Sequence, residues 1–230
     1  MRPPFVFFQA RVSWLQAFKT NLIWGDIMQL VEKFLKSSIP KTFYWFNEPA
    51  KYQLGTGLEI FTDEKTDFWQ TTHYGFQRDD GHCLLTRHTG DFALMACVEP
   101  RPQEKYDQCG LMVRVDRENW IKVSTEYETE KCSRLGSVVT NLGFSDWATQ
   151  DIPSSYRDMW YRISKNGSDF LLEYSYDGQN WLQLRITHLH KVPEQFEMGV
   201  YACSPIGKDF WCRFKLLEIS KNKWFYRKGE

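Results

Sequence analysis

Three strand-like runs stand close together near the C-terminal end: Trp160-Tyr161-Arg162-Ile163-Ser164-Lys165, Phe170-Leu171-Leu172-Glu173-Tyr174-Ser175-Tyr176 and Trp181-Leu182-Gln183-Leu184-Arg185. Asn166-Gly167 and Asp177-Gly178 separate them. Those dipeptides supply the positive φ values that tight hairpin turns demand, so the stretch is constrained to a three-stranded antiparallel meander. A meander with an apolar face needs a second layer to cover it, and the rest of the chain offers strands, not helices, for that layer.

From Thr42 onward the texture is all-β. Phe43-Tyr44-Trp45-Phe46, Leu58-Glu59-Ile60-Phe61, Asp67-Phe68-Trp69-Gln70, Gly90-Asp91-Phe92-Ala93-Leu94-Met95-Ala96-Cys97-Val98 and Gly136-Ser137-Val138-Val139-Thr140-Asn141 are bounded by Gly, Pro, Asn and Asp, and a loop through Ser145-Asp146-Trp147 is expected after the last of them. Turns recurring at roughly 8 to 12 residues predict a sandwich or barrel. An aromatic fraction of 17% suits pleated sheets. No boundary is visible after residue 40, so residues 41–230 are expected to form one sandwich of about twelve strands. Residues 1–40 differ in texture and are expected to be an N-terminal extension, partly helical, with a short amphipathic helix over residues 29–35 and Met28 the preferred start.

Cys109-Gly110-Leu111-Met112-Val113-Arg114-Val115 and Trp120-Ile121-Lys122-Val123-Ser124-Thr125-Glu126-Tyr127, joined through Asp116-Arg117-Glu118-Asn119, read as a hairpin with two unlike faces. Alternation puts Leu111, Val113, Ile121 and Val123 on one side, which belongs in a core. The other side carries Met112, Arg114, Trp120, Lys122, Ser124 and Glu126, a mixture of cation, indole and carboxylate from which a binding surface could be built.

The 29 basic and 29 acidic residues cancel, which argues against nucleic acid or an anionic membrane as partner. No apolar run approaches the ~20 residues of a membrane helix. Six cysteines, at 83, 97, 109, 132, 203 and 212, form no C-x-x-C pair and several stand among core-like residues. Reduced, buried thiols and a cytoplasmic location are therefore expected. His188-Leu189-His190 lacks an evident third ligand and Asp79-Asp80-Gly81 reads as a turn, so neither a metal nor a cofactor is expected.

Asp67-Phe68-Trp69-Gln70, Tyr106-Asp107-Gln108-Cys109-Gly110-Leu111, Glu118-Asn119-Trp120-Ile121-Lys122, Ser137-Val138-Val139-Thr140-Asn141, Ser145-Asp146-Trp147 and Gly199-Val200-Tyr201-Ala202-Cys203-Ser204-Pro205 follow one another in the order of the motifs of the regulation-of-enolase family. Over about residues 40 to 219 the chain resembles that family, which lies within the concanavalin A-like lectin/glucanase superfamily. The resemblance implies a jelly-roll sandwich of two antiparallel sheets, one bent into a groove. Arg114, Trp120, Lys122, Glu126 and Glu173 are placed in that groove by alternation. Taken with the family motifs, Trp69, Asn141, Asp146, Trp147, Arg162, Arg185 and Tyr201 join them.

The expected function is a non-catalytic binding or regulatory domain whose groove holds a saccharide or sugar-derived metabolite, linked to control of a glycolytic enzyme such as enolase. Two alternatives stay open. One is a glycoside hydrolase or lyase using Glu126 and Glu173, which requires carboxyl groups roughly 5 to 10 Å apart. The superfamily's compact Glu-x-Asp-x-x-Glu motif is absent. The other is a protein-interaction domain with no small ligand.

Overall fold

The structure is a computed structural model and describes residues 30–224. Its strands, in chain order, are β1 (Leu30–Glu32), β2 (Tyr44–Phe46), β3 (Lys51–Gln53), β4 (Leu58–Phe61), β5 (Phe68–Gln70), β6 (Gln77–Asp79), β7 (His82–Thr89), β8 (Phe92–Arg101) and β9 (Gln108–Asp116). They continue with β10 (Asn119–Tyr127), β11 (Cys132–Asn141), β12 (Phe144–Pro153), β13 (Met159–Asn166), β14 (Asp169–Ser175), β15 (Leu182–His188), β16 (Gln195–Cys203) and β17 (Trp211–Ser220). Among the described residues there is no helix, and none therefore long and apolar enough to cross a membrane.

Two antiparallel sheets face each other. One runs β15-β14-β13-β8-β17-β4-β3, with β1 also pairing to β17; the other runs β12-β11-β10-β9-β16-β7-β2. The predicted meander is β13-β14-β15, closed by both glycine dipeptides. The hairpin of residues 109–127 is β9-β10, and its Leu111, Val113, Ile121 and Val123 enter the shared core against Leu94, Ile163, Leu172 and Phe214 of the opposite sheet. Each such side chain, removed wholly from water, contributes about 1.5–3 kcal/mol.

Two local expectations change. Leu30–Glu32, expected within a short helix, is a strand hydrogen-bonded to β17, and Phe34 just after it is buried against the core near Phe43. Pairing with an otherwise open strand and burial of Phe34 outweigh the weak helical pattern of so short a segment. The remainder of the predicted leader, residues 1–29, lies outside the described residues. Ser145-Asp146-Trp147, expected in a loop, belongs to the ten-residue edge strand β12.

β5 and β6 join neither large sheet. They form a two-stranded hairpin laid on the outer face of the β12–β2 sheet, a third layer over part of it.

Candidate functional site

The register of β16, β9, β10, β11 and β12 arranges the outer face of this sheet in cross-strand rows. The first reads Glu197, Arg114, Trp120, Thr140, Ser145; the second Gly199, Met112, Lys122, Val138, Trp147. The third is Tyr201, Gly110, Ser124, Gly136, Thr149, and the fourth Cys203, Gln108, Glu126, Arg134, Asp151.

The β5-β6 hairpin covers the first row. Phe68, fully buried, packs edge-on against Trp120 at 6.2 Å and Tyr201 at 6.0 Å between ring centroids. Arg114 donates through both terminal nitrogens to the Asp79 carboxylate at 2.8 Å each, and its guanidinium lies 4.3 Å from the Phe46 ring centroid. The backbone nitrogen of Gln70 donates to Ser145 Oγ at 2.9 Å. Buried charge-assisted bonds of this kind fix a layer in position, because leaving either partner unpaired is costly.

Beyond the hairpin the face stays open, and a cleft of about 540 Å³ lies between the hairpin and the β11-β12 edge. Ser124 and Gly136 of the third row form a low floor. Gly110 and Gly136 flank Ser124 on neighbouring strands, and a Cβ at either would meet the next strand's carbonyl oxygen, Val123 O at 1.9 Å or Ala148 O at 2.5 Å. Only glycine permits so close a backbone approach. The walls are aromatic, with Trp69, Tyr74 and Phe76 on the hairpin side and Trp147 on β12 opposite.

The polar groups on the floor form one connected set. Lys122, buried, donates from Nζ to Phe68 O and to Gln108 Oε1 at 2.9 Å each, and stands 3.6 Å from Asp67 Oδ1. Tyr201 donates from its hydroxyl to the same Gln108 oxygen at 3.1 Å. Two donors on Oε1 fix the amide's orientation and turn its nitrogen toward Glu126 Oε2, 2.9 Å away. Burial pushes the Glu126 carboxyl up to about 7, with Asp67 and Glu128 adding to the rise while Lys122 and Arg134 oppose it. Near neutral pH it can accept a hydrogen bond as a carboxylate or donate one as the acid. At the rim Glu128 pairs with both Lys105 and Arg134, each at 3.0 Å, and the Arg134 guanidinium lies 5.6 Å from the Trp147 ring.

Of the residues expected to share a groove, Trp69, Lys122, Glu126 and Trp147 line this cleft. Arg114, Trp120 and Tyr201 are on the same face, but the β5-β6 layer buries them, Trp120 and Tyr201 completely. Asn141 and the Asp146–Arg185 pair are at the side of the sandwich. Asn141 donates to His188 O at 2.9 Å and accepts from His190 N at 3.0 Å, and Arg185 Nη2 lies 3.0 Å from Asp146 Oδ2, so these residues stitch one sheet edge to the other. Arg162 and Glu173 are cross-strand partners on the outer face of the other sheet, joined by two hydrogen bonds of 2.7 and 2.9 Å.

Glu126 and Glu173 therefore point away from each other on opposite sides of the molecule, with two sheets about 10 Å apart between them. They cannot flank one glycosidic bond. Ser124, placed on this face by alternation, lines the cleft, as do Gln108, Arg134, Asp67 and Glu128, which were not among the expected site residues. Gln108 and Arg134 are the register partners of Glu126 on either side, so pairing β9, β10 and β11 correctly would have found them. Among the described residues no three His, Cys, Asp or Glu side chains are grouped to hold a metal; His188 of the H-x-H pair bonds Asp169 at 2.8 Å instead.

The family model described as "Protein of unknown function (DUF1349)" matches residues 45–222. "Regulation of enolase protein 1" from Saccharomyces cerevisiae is 35% identical over 162 residues, covering 70% of this chain and 80% of the relative. A crystal structure of a functionally unknown Saccharomyces cerevisiae protein superposes with a TM-score of 0.68 at 30% identity, over 82% of this chain and 98% of that one. The GH43 protein BlXynB from Bacillus licheniformis superposes with a TM-score of 0.66 over 83% of this chain but 39% of its own, at 13% identity, a likeness of fold alone. With the family model spanning the sandwich from β2 to just past β17, the chain belongs to the DUF1349 family.

Proposed function

We propose that this protein is a non-catalytic binding domain, a concanavalin A-like jelly roll whose cleft on the outer face of the β12–β2 sheet holds a saccharide or sugar-derived metabolite. The observation that carries this reading is the pairing of aromatic walls, Trp69 and Trp147, with the connected Lys122–Gln108–Glu126 set on the floor. Flat apolar ring faces stack on indole, while hydroxyls need fixed donors and acceptors at the ring's edge. The carboxylate pair that a two-carboxylate hydrolase would have used is divided between opposite faces, which favours binding over cleavage.

The similarity to Regulation of enolase protein 1 supports a regulatory role in which the domain reports the ligand to a glycolytic enzyme such as enolase. A cytoplasmic setting fits the six free thiols, five of them buried. Trp147, half-exposed at the cleft, is a built-in reporter. Titrating tryptophan fluorescence with mono- and oligosaccharides and sugar phosphates should produce a saturable change that Trp147→Ala removes. A flat response to every compound would dismiss the saccharide. Purified enolase, assayed with and without the domain and the responding sugar, tests the regulatory half; activity unaltered by either addition counts against it.

A further inference from the structure

Four cations line the cleft, and each has a carboxylate beside it, Lys105 and Arg134 sharing one. Arg78 lies 2.7 Å from Asp80, Lys105 and Arg134 each 3.0 Å from Glu128, and Lys122 3.6 Å from Asp67. A phosphate or carboxylate entering here would have to compete with a carboxylate at every one of these cations. Recognition of such anions relies on guanidinium, ammonium or helix N-terminal N–H groups clear of carboxylates, and among its described lining residues this cleft has no helix N-terminus and no cation farther than 3.6 Å from a carboxylate. Glu126, facing Gln108 on β9, Arg134 on β11, Lys122 and Glu128 along its own strand and Asp67 ahead of β5, adds a carboxyl group that can hydrogen-bond a hydroxyl in either protonation state and, when ionised, repels an anion.

The walls also reach beyond the floor. From Trp69, 8% exposed, the aromatic series continues to Tyr74, 55% exposed, at 5.4 Å between ring centroids, and on to Phe76, 43% exposed, at 5.7 Å. The loop presenting these rings holds Thr71 and His73 at positive φ, a sparsely populated conformation for residues other than glycine. It is closed by Thr71 N donating to Phe76 O at 3.0 Å. A graded path of rings leading outward suits a ligand that extends past the cleft.

From the carboxylate beside each cation and the outward ring series, we infer that the cleft takes an uncharged oligosaccharide of more than one ring and discriminates against phosphorylated and carboxylated sugars. This inference rests on the saccharide reading above and narrows it.

The test is calorimetric titration of the full chain with maltotriose, cellotriose and xylotriose, their parent monosaccharides, glucose 6-phosphate and trigalacturonate, at about 50 and about 300 mM salt. A neutral trisaccharide should bind about tenfold more tightly than its monosaccharide, with an affinity little changed by salt. Tyr74→Ala, on an exposed loop, should weaken that trisaccharide about fivefold and the monosaccharide by less than about twofold. A charged sugar binding as tightly as the neutral ones, or a trisaccharide no tighter than its monosaccharide, overturns the inference and leaves the saccharide reading standing. Silence from every sugar removes both.

Discussion

The two outer faces of the sandwich are built from the same kinds of side chain and end differently. On the β15–β3 sheet Arg162 spans Glu173 and lies 4.1 Å from the Trp181 ring, while Glu99, nearly buried, is ringed by Arg101, Arg213 and Lys215. Those charges satisfy one another on the sheet itself. On the β12–β2 sheet the partners come from above: Asp79 for Arg114, and Phe68 O with Asp67 for Lys122. The difference shows that aromatic and charged residues alternating with aliphatic ones do not make a cleft. A third layer standing on a floor of glycine and serine does.

Removing the foot of that layer should have the largest effect. Phe68→Ala is expected to cost about 4 kcal/mol in urea unfolding, since it empties a fully enclosed site between Trp120 and Tyr201, and to abolish sugar binding at the same time. If stability fell by less than about 1 kcal/mol, the hairpin would not be anchored as described.

A matched pair of charge removals sharpens the comparison. Lys122→Met strands the Asp67 carboxylate and takes a donor from two buried oxygens, for an expected loss of about 3 kcal/mol. Arg162→Met on the opposite face should cost about 1 kcal/mol and leave ligand affinity unchanged. Equal losses would mean that the covering layer contributes nothing to the strength of the charges beneath it.

The last effect is one of pH. Glu126 titrates near 4.5 in the unfolded chain and about 7 in the folded one, so the folded state binds the extra proton between those values. Its contribution to stability is therefore present at low pH and is lost as pH rises from about 4.5 to about 7. Glu126→Gln keeps the shape without the charge. Its stability relative to the parent should rise by about 2–3 kcal/mol between pH 5 and pH 8, measured by urea unfolding at both. No difference between the two pH values would place the Glu126 carboxyl in an ordinary solvated setting.

Much of this was legible in the residues. Asn166-Gly167 and Asp177-Gly178 located two hairpins, and alternation divided Leu111, Val113, Ile121 and Val123 from Arg114, Trp120, Lys122 and Glu126 correctly. Alternation says which side of a strand a residue takes, but not which sheet the strand joins. Hence Arg162 and Glu173 looked like neighbours of Glu126 when they face the other way. Nor does it say how much of a face is covered. Arg114, Trp120 and Tyr201 have the pattern of an open surface and lie under the β5-β6 hairpin, because the Asp67-Phe68-Trp69-Gln70 strand leaves both sheets, a choice made by long-range packing and not by its own composition. Gln108 and Arg134 became visible only with register, which depends on every strand between them.

The stitching along the sandwich's side bears on how copies of this molecule meet. β12 is a ten-residue edge strand, and such an edge presents a row of unpaired N–H and C=O groups that a strand from another chain can continue. Arg185 reaches across to hold both the side chain and the carbonyl of Asp146, Asp151 places a second carboxylate farther along, and Pro153 ends the row without a donor. Together they spoil the template for strand addition, so the contacts that join the two sheets also keep the edge closed to a neighbour.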